Sequence, residues 1–125
     1  MSHHDTPRGL LSARQLKKLA VRRDSPAILR AGLHLGSLLI VGTLLWQSRQ
    51  SLWAAPLLLA YGYLFAFLFC IEHETAHRTA FKTRWANTVL GHAIGFALLL
   101  PFEAYRAFHW DHHRYTQDPL RDPEL

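Results

Sequence analysis

The chain has a single cysteine, Cys70, so it forms no internal disulfide and offers no cysteine-type metal site. Set inside an apolar run, that thiol is expected to behave as a buried small hydrophobe. No glycine-rich phosphate loop, internal repeat or low-complexity segment is present. No cleavable signal peptide is evident. The first apolar run starts late and is too long for an h-region, so an uncleaved anchor is expected. The most informative absence is of charge. Residues 31–48 (AGLHLGSLLIVGTLLWQS) and 51–71 (SLWAAPLLLAYGYLFAFLFCI) hold no Asp, Glu, Lys or Arg. At about 1.5 Å per helical residue, either run is long enough for a hydrocarbon core of about 30 Å. Two such runs in 125 residues argue against an ordinary soluble domain. The expected fold class is all-α and integral to a membrane, with at most one domain.

The net charge of +5 is not a nucleic-acid signal, because the positive residues are placed as in a membrane protein. Seven of the fourteen basic residues precede the first apolar run: Arg8, Arg14, Lys17, Lys18, Arg22, Arg23 and Arg30. Positive charge flanking a transmembrane segment marks the cytoplasmic side, and such a stretch can rest on anionic headgroups. Residues 1–26 therefore read as a basic cytoplasmic segment and 27–125 as the membrane domain. Residues 1–9 are polar and expected to be disordered, which makes His3 and His4 tail residues. Residues 12–23 predict a short basic amphipathic helix, capped by Ser12, with Leu16 and Leu19 on its apolar side. Asp24-Ser25-Pro26 predicts the start of a longer helix, with Ser25 as N-cap and Pro26 in the first position, running to about Ser48. Residues 47–50 are a polar turn with one basic residue, flanked by Trp46 and Trp53 as interfacial aromatics. A second helix from about Ser51 then returns to the cytoplasmic face with Glu72, His73 and His77, where Arg78, Lys82 and Arg84 follow. This is a transmembrane helical hairpin.

Residues 85–102 (WANTVLGHAIGFALLLPF) form a third apolar run of eighteen residues. Gly91, His92 and Gly95 weaken it as a span, and Pro101 breaks its end. If it crossed the bilayer, the histidines before and after it would emerge on opposite sides. An interfacial or re-entrant helix is therefore expected, leaving both histidine clusters on the cytoplasmic side.

Those clusters carry the chemistry. The first reads H-E-T-A-H (His73 to His77) and the second H-W-D-H-H (His109 to His113). Helical residues three or four apart share a face, so each cluster aims its imidazoles at one region. Imidazole suits iron, zinc, copper and nickel, and such groups at the end of a membrane helix are functional by default. His112 and His113 are adjacent, point about 100° apart and can reach two different ions. Glu74, Asp111 and Asp118 are candidate carboxylates for orienting the rings. His34 and His92 lie apart and read as hydrogen-bonded helix residues. Taken alone, H-E-T-A-H also fits a zinc metalloprotease, with Glu74 as general base. A catalytic zinc takes three protein ligands, and five clustered histidines match two ions better.

Taken together, the boxes resemble those of the membrane fatty acid desaturase and hydroxylase family. His73-Glu74-Thr75-Ala76-His77 matches that family's first H-x(3,4)-H box. His109-Trp110-Asp111-His112-His113 matches its H-x(2,3)-H-H box. Glu72, Tyr105-Arg106 and the following His-His-Arg-Tyr-Thr-Gln-Asp-Pro are similar as well. The resemblance covers roughly residues 27–125. It implies a non-haem di-iron centre at the cytoplasmic face, with His73, His77, His109, His112 and His113 as ligands rather than acid–base groups. It implies an acyl-lipid substrate, O₂, and electrons from a ferredoxin or cytochrome b5-like partner. A third box is absent from these residues. The expectation is a partial domain that binds iron poorly and is inactive alone, the other readings being the zinc protease and a non-catalytic membrane fragment.

Overall fold

The computed structural model describes residues 12–125, so the tail histidines His3 and His4 lie outside the described residues. Six helices follow one another: α1 (Ala13–Leu19), α2 (Asp24–Gln47), α3 (Ala54–Ala66), α4 (Leu68–Ala76), α5 (Arg84–Leu98) and α6 (Phe102–Tyr115). No strand is found among the described residues. The fold is all-α, and two helical runs, Ala13–Gln47 and Ala54–Ala76, are long and apolar enough to cross a membrane.

Ser12 caps α1 through a reciprocal capping box with Gln15. The long helix begins two residues earlier than the sequence signal: Arg23, not Ser25, is its N-cap. Asp24 is drawn into the first turn because its carboxylate accepts from Thr83 N (3.0 Å) and Thr83 Oγ1 (2.6 Å). Pro26 still falls in the first turn, where no N–H is required. At the far end of the hairpin the Arg49 guanidinium donates to Trp46 O (2.8 Å) and stacks over the Trp46 ring.

α2 packs along α3, and α4 along α5. Leu38, Leu68 and Ile94 form one buried cluster, flanked by Tyr61, Leu64 and Phe65. Most other apolar side chains of α2 and α3 face outward, as a lipid-facing surface does; Leu39 is 73% and Leu59 77% exposed. His34 does what the sequence suggested: its Nε2 lies 3.0 Å from Leu64 O, next to the break between α3 and α4. Cys70 departs from expectation. It is exposed, because its side of α4 faces an open groove beside α2 rather than the core.

α4 ends in a Schellman-type turn, with Arg78 N bonded to Thr75 O and Thr79 N to Glu74 O, and Arg78 in the left-handed region (φ 55°). The loop that follows is closed by Asn87, which is buried. Its Oδ1 accepts from Phe81 N, and its Nδ2 donates to Phe81 O and Thr83 O, each at 3.0 Å. α5 then runs back along α4.

The third apolar run is not a straight span. α5 stops at Leu98, Leu99 turns left-handed (φ 57°), and α6 leaves at 100° to α5. At about 1.5 Å per residue neither helix alone reaches across about 30 Å of hydrocarbon. The elbow depends on two glycines one turn apart. A Cβ on Gly91 would overlap the Phe102 ring. One on Gly95 would lie 2.5 Å from Leu100 O and 2.8 Å from Glu72 Oε1. The residues that weaken the run as a span are those that let α6 fold back onto α4.

Candidate metal centre

The elbow brings the two histidine boxes together. α4 supplies His73 and His77 one turn apart, and α6 supplies His109 and His113 one turn apart. His77 Nε2 and His109 Nε2 lie 2.8 Å from each other. His113 Nε2 stands 3.2 Å from the former and 3.0 Å from the latter. His73 joins them: one ring nitrogen each of His73, His77 and His109 fall within 4.8 Å of one another.

Three imidazole nitrogens at mutual hydrogen-bond distance cannot satisfy one another. A neutral ring nitrogen is either a donor or an acceptor, and an odd ring cannot alternate the two, so one edge always sets like against like. A cation removes the conflict. Two ligands about 2.1 Å from an ion and at right angles to each other lie about 3.0 Å apart, close to the three observed edges. His73, His77 and His109 therefore form a donor set that fits a transition metal, with His113 next to two of them.

The surroundings of His77 and His109 favour the neutral ring. Burial, reinforced by the neighbouring His73 and His113, pushes the His77 imidazole below its ordinary range. Burial also lowers His109, opposed by its bond to Glu124 and assisted by His113 and His77. A neutral imidazole is the form that binds metal.

His112 stands apart from the group. Its Nδ1 lies 2.8 Å from Asp122 Oδ1 and 3.5 Å from Glu124 Oε2, and the Asp122 bond raises its affinity for a proton. Burial alone would push the Asp122 carboxyl up. The Glu124 N–H, His112 and the Gln117 N–H outweigh it and hold the carboxyl below its usual range. His109 Nδ1 lies 3.4 Å from Glu124 Oε1. His73 Nδ1 lies 3.1 Å from the hydroxyl of Tyr105, which is itself buried.

None of the three carboxylates anticipated from the sequence pairs with a box histidine. Asp118 is paired with Arg121 (2.6 Å) and Asp111 with Arg114 (3.5 Å). Glu74 lines the groove beside α2 together with Arg30, His34 and Cys70. No hydrogen bond or ion pair joins its carboxylate to a box imidazole among the described residues. His92 lies 3.8 Å from Glu103, at the surface. The carboxylates that do reach box histidines are Asp122 and Glu124, in a segment that carries no metal-site signal in the sequence. Glu72, singled out in the sequence only as the neighbour of the first box, has an unusual setting. It is fully buried at the elbow, with neither carboxyl oxygen hydrogen-bonded.

Comparison with known proteins points to one family. The fatty acid desaturase profile matches residues 48–125. The chain is 37% identical over 54 residues to an sn-1 oleoyl-lipid 12-desaturase of Picosynechococcus, covering 43% of this chain and 16% of that protein. It is 33% identical over 55 residues to an sn-1 acyl-lipid omega-3 desaturase (ferredoxin) of Nostoc, covering 44% and 15%. It is 32% identical over 63 residues to a Delta(12) fatty acid desaturase of Caenorhabditis elegans, covering 50% and 17%. The matched stretch thus spans about one-sixth of each relative's length. No solved structure matches.

Proposed function

The chain belongs to the fatty acid desaturase family, and we propose that it forms the part of a membrane acyl-lipid desaturase that holds its non-haem iron. The single observation that supports this most is the meeting of His73 and His77 from the first box with His109 from the second, with His113 beside His77 and His109. In this reading His73, His77, His109 and His113 hold a first iron, and His112 serves the second position of a di-iron centre. Iron supplies the means to reduce O₂ and remove hydrogen from an unactivated C–H bond. Desaturation takes two hydrogens from adjacent carbons and consumes one O₂, two electrons and two protons, giving two waters.

The chain's own residues bind, orient and exclude water. The histidines remain neutral ligands and do not move protons. Phe102, Tyr105 and Ala76 pack behind the boxes and close that side to water. The substrate is an acyl chain of a membrane lipid, and the electrons come from a ferredoxin or cytochrome b5-like protein. N-terminus and boxes are assigned to the cytoplasmic face. Two irons need more donors than these five histidines supply.

Metal analysis of the chain purified in detergent tests this. Iron is expected, at about one ion per chain. One zinc per chain with no iron, even after growth in iron-rich medium, overturns the proposal in favour of a hydrolytic site. No bound metal and no uptake of added Fe(II) overturns it as well.

A further inference from the structure

After α6 the chain does not run off into solvent. Thr116 ends the helix, Gln117 adopts the left-handed region (φ 66°), and residues 118–125 fold back beside His109 and His112. Two aspartates fasten this strap, in different ways. Asp118 bonds only within it, to Leu120 N (3.0 Å) and Arg121 Nε (2.7 Å). Asp122 bonds both within it and out of it. Oδ2 accepts from Gln117 N and Oδ1 from Glu124 N, each at 3.0 Å, while Oδ1 also reaches His112 Nδ1 at 2.8 Å. The Asp122 side chain is 1% exposed.

A buried carboxylate that already takes two backbone N–H groups can only accept from a ring nitrogen. The bond therefore fixes the His112 tautomer: the proton sits on Nδ1 and the Nε2 lone pair is bare. Glu124 stands in the same relation to His109 Nδ1, at the longer distance of 3.4 Å. In that orientation the His109 Nε2 lone pair points into the group formed with His77 and His113. A neutral histidine side chain in water favours the opposite, Nε2–H tautomer, so the strap makes a choice that solvent would not.

We propose that Asp122 is a positioning residue that selects the metal-binding tautomer of His112, with Glu124 doing the same more weakly for His109. The claim deepens the iron reading and rests on it for its purpose, but the tautomer can be measured without any metal. Outer partners of ligand histidines set ring orientation and basicity, and removing one typically costs about 10- to 100-fold in metal affinity.

The test uses the full chain in lipid nanodiscs, ¹⁵N-labelled at histidine, at about pH 8.5, above the ordinary imidazole range of about 6.5. The His112 signals are identified by their loss in His112→Gln. Wild-type protein is expected to show His112 protonated at Nδ1. Asp122→Ala should move it to the Nε2-protonated form. Asp122→Asn keeps an acceptor oxygen and should restore the tautomer. Asp118→Asn is the structural control. It should loosen the strap, seen as faster trypsin cleavage after Arg121, and leave the tautomer alone. An Nε2-protonated His112 in the wild type, or an unchanged tautomer in Asp122→Ala, overturns the proposal. So does a tautomer shift in Asp118→Asn as large as that in Asp122→Ala, which would make the strap's fold, and not Asp122, the cause. If His112 behaves as expected but the wild-type chain takes up no iron, the functional reading fails and the positioning role stands.

Discussion

Single residues decide whether the two boxes can share an ion. His109 is the most constrained, being buried and in contact with both His77 and His113. His109→Ala should therefore lower Fe(II) affinity at least about 10-fold, while a loss at the more exposed His113 is partly made good by solvent. His34→Ala, whose partner is a backbone carbonyl, should leave iron binding unchanged. Isothermal titration with Fe(II) under nitrogen reads both. Acidity acts on the same residues. The ordinary imidazole value is about 6.5, and burial holds His77 and His109 below it. Above about 6.5 both are neutral, folded or unfolded. As pH falls from there the unfolded chain takes protons first, so the pair costs stability in that direction. His112, raised by Asp122, has the opposite sign: its contribution is present below about 6.5 and is lost as pH rises through its folded value. Iron loading measured against pH should accordingly hold below pH 6.5 before protons displace the metal. Loss of iron already above pH 7 would contradict the burial argument. Glu72 is a liability at this scale. A fully buried carboxyl without a partner costs about 1–3 kcal/mol, so Glu72→Met should raise the thermal midpoint.

At the scale of elements the elbow is the decisive device. Gly91 faces the Phe102 ring, and Gly95 faces Leu100 O and the Glu72 carboxyl. Phe102 is 2% exposed and has nowhere to retreat. Gly91→Ala should cost about 1–3 kcal/mol by overpacking and should move α6 away from α4, so Fe(II) affinity falls although no ligand is touched. Gly62→Ala, where nothing lies within 4 Å of the added carbon, is the matched control. Unchanged iron affinity in Gly91→Ala would show that the boxes meet without the elbow. The contrast between elbow and hairpin also explains what a reader of the sequence can see. Uncharged runs and histidines spaced by one turn are local patterns, so the helices and both boxes were legible. The third run was legible only as a weakened span, because the clash that Gly91 avoids lies with the Phe102 ring, eleven residues further along, and that of Gly95 with Leu100 O and the Glu72 carboxyl. Asp122 and Glu124 were missed for the same reason. Their partners are His112 and His109, ten and fifteen residues back, and no helical periodicity links a strap to the helix it folds against. The carboxylates nearest in sequence, Asp111 and Asp118, found arginines instead.

For the whole molecule the question is which way the hairpin faces. Of the fourteen basic residues, only Arg49 lies in the turn between the two spans. With an elbow that does not cross, the other twelve basic residues among those described fall on one side, an asymmetry that supports the proposed cytoplasmic assignment of that side. Were α5 and α6 to cross together, Arg114 and Arg121 would join Arg49 on the far side and weaken the bias. Their route would also have to pass a 100° bend through the hydrocarbon. The exposed Cys70 has to be replaced first, which leaves a chain with no thiol. Single cysteines placed at Gln117, beyond the second box, and at Arg49, in the hairpin turn, then report the two faces to an impermeant maleimide. Gln117→Cys should react only when the reagent reaches the cytoplasmic face, and Arg49→Cys only from the opposite one. Labelling of both positions from the same side would mean that the elbow crosses after all. The boxes would then lie on opposite faces, and no single ion could hold His77 and His109 together.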